Sequence, residues 1–191
     1  MKKLLNPIEF FDDKKLLITN LIIFVAGTIV AVLMRAWFSS IIQVLFKSKV
    51  NVYETIIENI VCVLLLTAVF FISGKIINKK TRFIDCLNLG LYIRIPFYIV
   101  TLFNCTGVLS QNMPIKKEDG SINIPTPSSP SDYFISLTTS ALNILIIIFL
   151  ILVIYRSFKT ITNAKKTSDY VIFIIILLTG IILSPVILNL I

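Results

Sequence analysis

The chain contains no histidine. That single absence removes the commonest general base, His-based catalytic triads, imidazole zinc sites and haem ligation by His. Charge is also scarce. Only 15% of the 191 residues are Asp, Glu, Lys or Arg, against about a quarter in soluble domains. Cysteine is sparse as well: Cys62, Cys86 and Cys105 form no CxxC pair. Such separated thiols support neither a disulfide framework nor a metal cage. No GxGD, HExxH or Gly-rich phosphate loop is present, and no Ser or Cys nucleophile has a paired base. The expectation is a non-enzymatic protein with no catalytic residues, no metal and no cofactor.

What fills the chain instead is apolar. Hydrophobic residues make up 57%, the mean hydropathy is +0.94, and the apolar residues come in blocks near bilayer length. The formal charge of +8 raises nucleic acid as a partner. The basic residues stand at the ends of apolar blocks, however, where anionic headgroups and the positive-inside effect account for them. No basic face with interleaved stacking aromatics lies outside those blocks, so no nucleic acid is expected. The predicted fold class is an all-α, polytopic membrane helical bundle, one domain over residues 1–191.

The first residues, MKKLLNPIEFFDDKK, carry charge past Asp13 and lead into a long apolar run without a small-x-small site, unlike a cleavable signal. Asn6-Pro7-Ile8-Glu9 reads as a helix start, with Asn6 as cap, Pro7 at the first position and Glu9 closing a capping box. Leu4, Leu5, Ile8 and Phe11 would lay this helix on the inner membrane surface; a frayed tail is the alternative.

Five transmembrane helices are placed at about residues 16–38, 53–77, 86–106, 133–155 and 169–190. Arg35 and Trp37 mark the far end of the first. Between the first two, Ile41, Ile42, Leu45 and Phe46 share one helical face, which predicts a short helix lying flat on the outer surface. The stretch from Asn104 to Asp132 is the one long polar loop, and 107–132, rich in Pro and Ser, reads as flexible. Asn104-Cys105-Thr106 matches a glycosylation sequon, a weak signal. Thr167, Ser168 and Asp169 are caps for the last span.

Lysine and arginine set the expected orientation. The N-terminal stretch holds Lys2, Lys3, Lys14 and Lys15. The second connection holds Lys75, Lys79, Lys80 and Arg82, and the fourth holds Arg156, Lys159, Lys165 and Lys166. The first and third connections hold only Lys47, Lys49, Lys116 and Lys117. Twelve against four, in alternation, places the N-terminus inside and the C-terminus outside. A multi-pass protein of a cell membrane follows, the bacterial inner or cytoplasmic membrane being the expected one.

Two polar groups stand out in the apolar blocks. Glu54 and Glu58 lie four residues apart at the outer end of the second span, so Arg35 can pair with either. A structural pair holding two helices is favoured over a proton or cation site, because intramembrane charges are normally paired. The second group is Gly90, Tyr92, Arg94 and Pro96 in the third span. A straight span over Phe83–Phe103 buries Arg94 near the midplane. A span shifted to start near Ile93 puts Arg94 at the inner interface, with Phe83–Leu91 as a surface helix. Pro96 predicts a kink on either reading.

The pattern resembles the Yip1-domain membrane proteins, in the sense of their bacterial relatives. The features that carry this are the short helix Asn6-Pro7-Ile8-Glu9-Phe10-Phe11, five spans with the N-terminus inside, and a basic second connection. Gly90-Leu91-Tyr92-Ile93-Arg94-Ile95-Pro96 is similar to that family's Gly-Tyr…Pro third segment, and the spacing of Tyr155 to Lys166 before the last span is similar too. The long Pro/Ser loop and the arginine between Tyr92 and Pro96 depart from the family. The resemblance implies a helical bundle without catalytic chemistry. The trafficking role of the eukaryotic relatives with small GTPases, which uses a longer N-terminal region, is not carried over.

Three functions follow as candidates. The first is an interaction or membrane-organising module whose partners are the lipid bilayer and other membrane proteins or further copies of itself. The second is a transporter or channel component with a site at a broken third helix around Arg94, which would hold an unknown anionic small-molecule substrate. The third, an intramembrane hydrolase using Asp85 and Arg94, lacks the neighbours that perturbed acid–base groups need.

Overall fold

The computed structural model describes residues 2–47, 50–111, 115–116, 122–123 and 129–190. Two single-turn helices, α1 (Lys2–Leu5) and α2 (Pro7–Phe10), precede the first long helix, α3 (Asp13–Leu33). A hairpin of β1 (Ala36–Ser40) and β2 (Gln43–Phe46) leads to α4 (Val52–Ile77) and α5 (Phe83–Thr101). A 3-10 turn (Leu102–Asn104), α6 (Val108–Gln111) and a small pair of strands, β3 (Ile115–Lys116) and β4 (Ile122–Asn123), follow. The chain then enters α7 (Pro130–Thr162) and α8 (Thr167–Leu188). Of the expected flexible loop 107–132, residues 112–114, 117–121 and 124–128 lie outside the described residues.

Among the described residues five helices are long and apolar enough to cross a membrane: α3, α4, α5 extended through its 3-10 turn, α7 and α8. Their burial sorts them. Two thirds (67%) of the apolar window of α5 is buried, against 17% for α8 and 28% each for α3 and α7. The third span is therefore the central post, flanked by α3, α4 and α7, with α8 held against α4. The outer helices turn large aliphatic residues such as Ile22, Leu145 and Ile182 outward, as a bilayer solvent requires.

Local chemistry explains the ends. Ser129 caps α7: its Oγ accepts from Asp132 N (3.3 Å), the Asp132 carboxylate accepts from Ser129 N (3.1 Å), and Pro130 takes the first turn. The Asp169 carboxylate accepts from the Lys165 and Lys166 amides (3.2 and 3.1 Å) where α8 begins. At the start of α5, Arg82 bridges Asp13 (2.9 Å) and Asp85 (2.8 Å), tying α3 to α5. Hydrogen bonding to Asp85 first, then to Asp13, raises the Arg82 pKa above its ordinary value.

Several expectations are corrected. The first helix ends at Leu33, not near residue 38, because Arg35 takes a left-handed backbone (φ 55°) that turns the chain. The predicted surface helix after it is the β1–β2 hairpin. Its β1 alternates buried and half-buried residues, with Ala36, Phe38 and Ser40 inward, and period two is a strand signature. Helix α5 runs unbroken from Phe83 through Gly90 and Pro96 to Thr101, so the third span is one continuous helix and Phe83–Leu91 is not a separate surface helix. At the N-terminus Asn6 makes no side-chain cap; its Nδ2 donates to the Glu9 carboxylate and to Thr160 Oγ1 (2.8 Å), fastening α2 to α7. Asn104 is buried with Nδ2 donating to Met34 O (2.7 Å), a poor acceptor site for a glycan.

Candidate functional site: a sealed arginine under a β-hairpin

Arg94 stands eleven residues into α5, about 16 Å along its axis. Its side chain is 0% exposed, the largest fully buried side chain described. A buried charge is costly unless it is paired and hydrogen-bonded, so its donors have to be met. Nε and Nη2 both donate to Asn59 Oδ1 (3.2 and 3.1 Å), and Nη1 donates to the Ile41 carbonyl at the hairpin tip (3.1 Å). The guanidinium lies 4.4 Å from the Phe38 ring centroid and 5.3 Å from that of Phe97, within cation–π range. Charge-assisted bonds of about 1.5–3 kcal/mol each offset the burial.

Asn59 is the hub. Its Nδ2 donates to Thr28 Oγ1 (2.7 Å) on α3 and to the Tyr98 hydroxyl (2.9 Å), while the Tyr98 hydroxyl donates back to Oδ1 (3.3 Å). Tyr98 is one helical turn beyond Arg94, and its ring fits against α3 only because position 27 is glycine: a Cβ there would fall on the ring. From Ile41 the network continues to α8, since the Ile41 amide donates to Ser184 Oγ (3.3 Å) and that hydroxyl donates to Ser40 Oγ (3.2 Å). Helices α3, α4, α5 and α8 and the hairpin thus meet around one cation.

Irregular backbone is tolerated among membrane-length helices only where protein covers it. One face of α4 provides that cover for the free edge of β1. Thr55 Oγ1 donates to Ala36 O (3.5 Å), Glu58 accepts from Phe38 N (3.3 Å) and Cys62 Sγ donates to Ser40 O (3.6 Å). Positions 55, 58, 59 and 62 follow the i, i+3, i+4, i+7 spacing of a single helical face.

Glu58 is therefore spent on the hairpin, and the expected Arg35–Glu58 and Arg35–Glu54 pairs do not form. Arg35 is exposed, and Glu54 accepts from Asn51 Nδ2 (3.2 Å). Among the described residues the ion pairs are those of Arg82 with Asp13 and Asp85.

Of the other expected residues, Gly90 lets α5 approach α4: a Cβ there would sit 2.8 Å from Thr67 Oγ1. Tyr92 points away from Arg94, its hydroxyl donating to Leu4 O (2.9 Å). Pro96 is buried one turn before Val100. Asp85 sits with Arg82 at the start of α5, nine positions before Arg94, so the two imagined hydrolase residues are not assembled. Asn59, Tyr98, Phe38 and Ser184 went unread in the sequence, and Ile41 was read only as part of a helical face. The legible signal was an asparagine and a serine inside two apolar blocks.

No family model matches the chain, and no curated protein or solved structure matches it. Among the described residues no three His, Cys, Asp or Glu side chains group closely enough to hold a metal ion.

Proposed function

We propose that this is a five-pass membrane protein of non-enzymatic type, an interaction or membrane-organising module similar in kind to the Yip1-domain proteins. Its N-terminus lies on the cytoplasmic side and its C-terminus on the opposite side of a cell membrane, in accord with the lysine and arginine distribution. One observation carries the reading: no part of the Arg94 surface is open to solvent, and its bonded donors all go to the protein's own groups. A cation built to receive substrate needs a route and a vacancy, whereas a sealed one locks helices in register. The outward faces of α3, α7 and α8 are where bilayer and protein partners meet the molecule.

A second reading, an anion transporter, draws on one specific feature. Among the described residues Arg94 has no carboxylate partner, and the group over it is a hairpin, not a helix. Anion uptake into vesicles decides between them. Vesicles carrying the wild type or Arg94→Leu should take up chloride and phosphate no faster than protein-free vesicles. Uptake by the wild type that a folded Arg94→Leu abolishes would overturn the interaction reading in favour of transport. For the first reading, native neighbours captured with the wild type in detergent should survive Arg94→Lys but be lost on exchanging the exposed residues of α3.

A further inference from the structure

A second polar site lies at the opposite end of the bundle from the hairpin. Helix α7 has 33 residues and is about 50 Å long, well beyond a hydrocarbon core of about 30 Å. Arg156 and Lys159 in its last turns are the residues expected to bring that end to headgroup level. There Arg156, Lys159 and Thr160 form one wall of a cleft of about 490 Å³, and Asn6, Glu9 and Phe10 of the N-terminal segment form the other. That volume is in the range of small-molecule sites. The Asn6–Thr160 hydrogen bond fixes the two walls at their base.

Among the described residues the charges in this cleft are opposed but form no ion pair. Glu9 faces the side that carries Arg156 and Lys159, yet no ion pair joins them. Two cations on one wall suit a phosphate, which an arginine fork binds in bidentate fashion and a lysine as a point charge. A carboxylate on the other wall suits an ammonium. The cleft also opens onto an apolar track, because Ile148, Leu152 and Arg156 follow each other at four-residue steps along α7. Ile148 and Leu152 are 53% and 45% exposed, and Phe10 at the cleft's edge is 44% exposed. Acyl chains can lie on that track while the headgroup sits in the cleft.

We propose that this cleft binds a phosphoethanolamine lipid, with the phosphate on Arg156 and Lys159 and the primary ammonium on Glu9. Basic residues at helix ends commonly serve only orientation and the helix dipole. Glu9 stands in the first turn of α2, where its carboxylate accepts from Asn6 Nδ2; a second carboxylate–donor contact in the same cleft makes the site selective for an amine.

The test is native mass spectrometry of the full chain, delipidated in detergent and then offered phosphatidylethanolamine, phosphatidylglycerol and phosphatidylcholine of equal chain length. Phosphatidylethanolamine should be retained roughly tenfold better than the other two, the ratio that about 1.4 kcal/mol provides. Glu9→Gln should erase the preference while leaving some binding, and Arg156→Gln with Lys159→Gln should remove binding of all three. Arg156→Lys with Lys159→Arg should retain it, which separates loss of charge from loss of fold. Equal retention of phosphatidylcholine, stronger retention of phosphatidylglycerol, or an unchanged preference in Glu9→Gln would each overturn the proposal. So would soluble phosphoethanolamine competing as well as the whole lipid, since the ligand would then be a free metabolite. None of these outcomes depends on what Arg94 does.

Discussion

Arg94 donates twice to a single atom, Asn59 Oδ1, through Nε at 3.2 Å and Nη2 at 3.1 Å. Asn59 supplies no charge, yet it answers most of a buried cation's demand and passes the connection on to Thr28 and Tyr98. Asn59→Leu removes the shared acceptor of Arg94 Nε and Nη2 and of the Tyr98 hydroxyl, leaving the guanidinium its bond to Ile41 O and Thr28 its bond to Phe24 O. Leaving a buried charge without its partner costs about 3–5 kcal/mol. Unfolding in mild detergent should show a loss of that size for Asn59→Leu and a much smaller one for Asn59→Asp, which keeps the acceptor. Equal stability of the leucine variant would remove Asn59 from the centre of the account.

The hairpin makes a prediction opposite to that of an Arg35–Glu58 pair. If Glu58 serves Phe38 N and Arg35 stands in solvent or headgroups, the Arg35→Glu/Glu58→Arg double mutant should recover none of the stability lost in Glu58→Arg. Glu58→Gln, which keeps an acceptor for the amide, should be tolerated. Arg35→Gly should be neutral or gain up to about 1 kcal/mol, because glycine adopts the left-handed backbone at this turn without the Cβ penalty. A double-mutant cycle on thermal unfolding reads all three.

These residues show what was legible in the sequence and what was not. Length and hydropathy expose five helical blocks because a bilayer-length apolar run has few other uses. Arg94 and Gly90 stand out because each is costly or unusual within such a run. The hairpin was hidden for a physical reason: Ile41, Ile42, Leu45 and Phe46 fit a helical face and a strand pair alike, and only covering by α4 makes the strand pair viable. Asn59 was passed over because a neutral amide announces nothing until its partner is known. Arg35 and Glu58 have the right spacing and charge for a pair, but the chain reversal at Arg35 carries its side chain outward.

Close approach of α4 and α5 rests on Gly90. Gly90→Ala pushes a methyl to 2.8 Å from Thr67 Oγ1 and should cost about 1–3 kcal/mol, the range for overpacking. Thr67 spends its hydroxyl on Val63 O within its own helix (2.8 Å), so Thr67→Ala should itself be mild. Combining the two should recover most of the loss in detergent unfolding. Additive losses would mean the crossing is not limited at this contact.

The Arg82 bridges offer a contrast with Arg94. The Arg82 side chain is 59% exposed and that of Asp13 34%, and exposed pairs contribute about 0–1 kcal/mol, whereas the Asp85 side chain is only 9% exposed. Asp13→Asn, which breaks only the exposed bridge, should therefore lower stability by no more than about 1 kcal/mol, and the difference from wild type should shrink in 1 M salt, where the screening length falls to about 3 Å. A loss as large as that of Asn59→Leu would show that the start of α5 is organised by charge.

Every placement above requires all five long helices to cross, so that the two ends of the chain emerge on opposite faces. With Cys105 replaced by serine and Cys62 and Cys86 buried, single cysteines at Lys3 and Leu190 can be labelled in intact cells with a membrane-impermeant maleimide. The cysteine at 190 should react from outside at once, and the cysteine at 3 only after the membrane is opened. Reaction of both from the same side would contradict the five-pass bundle and the assignment of its inner and outer ends.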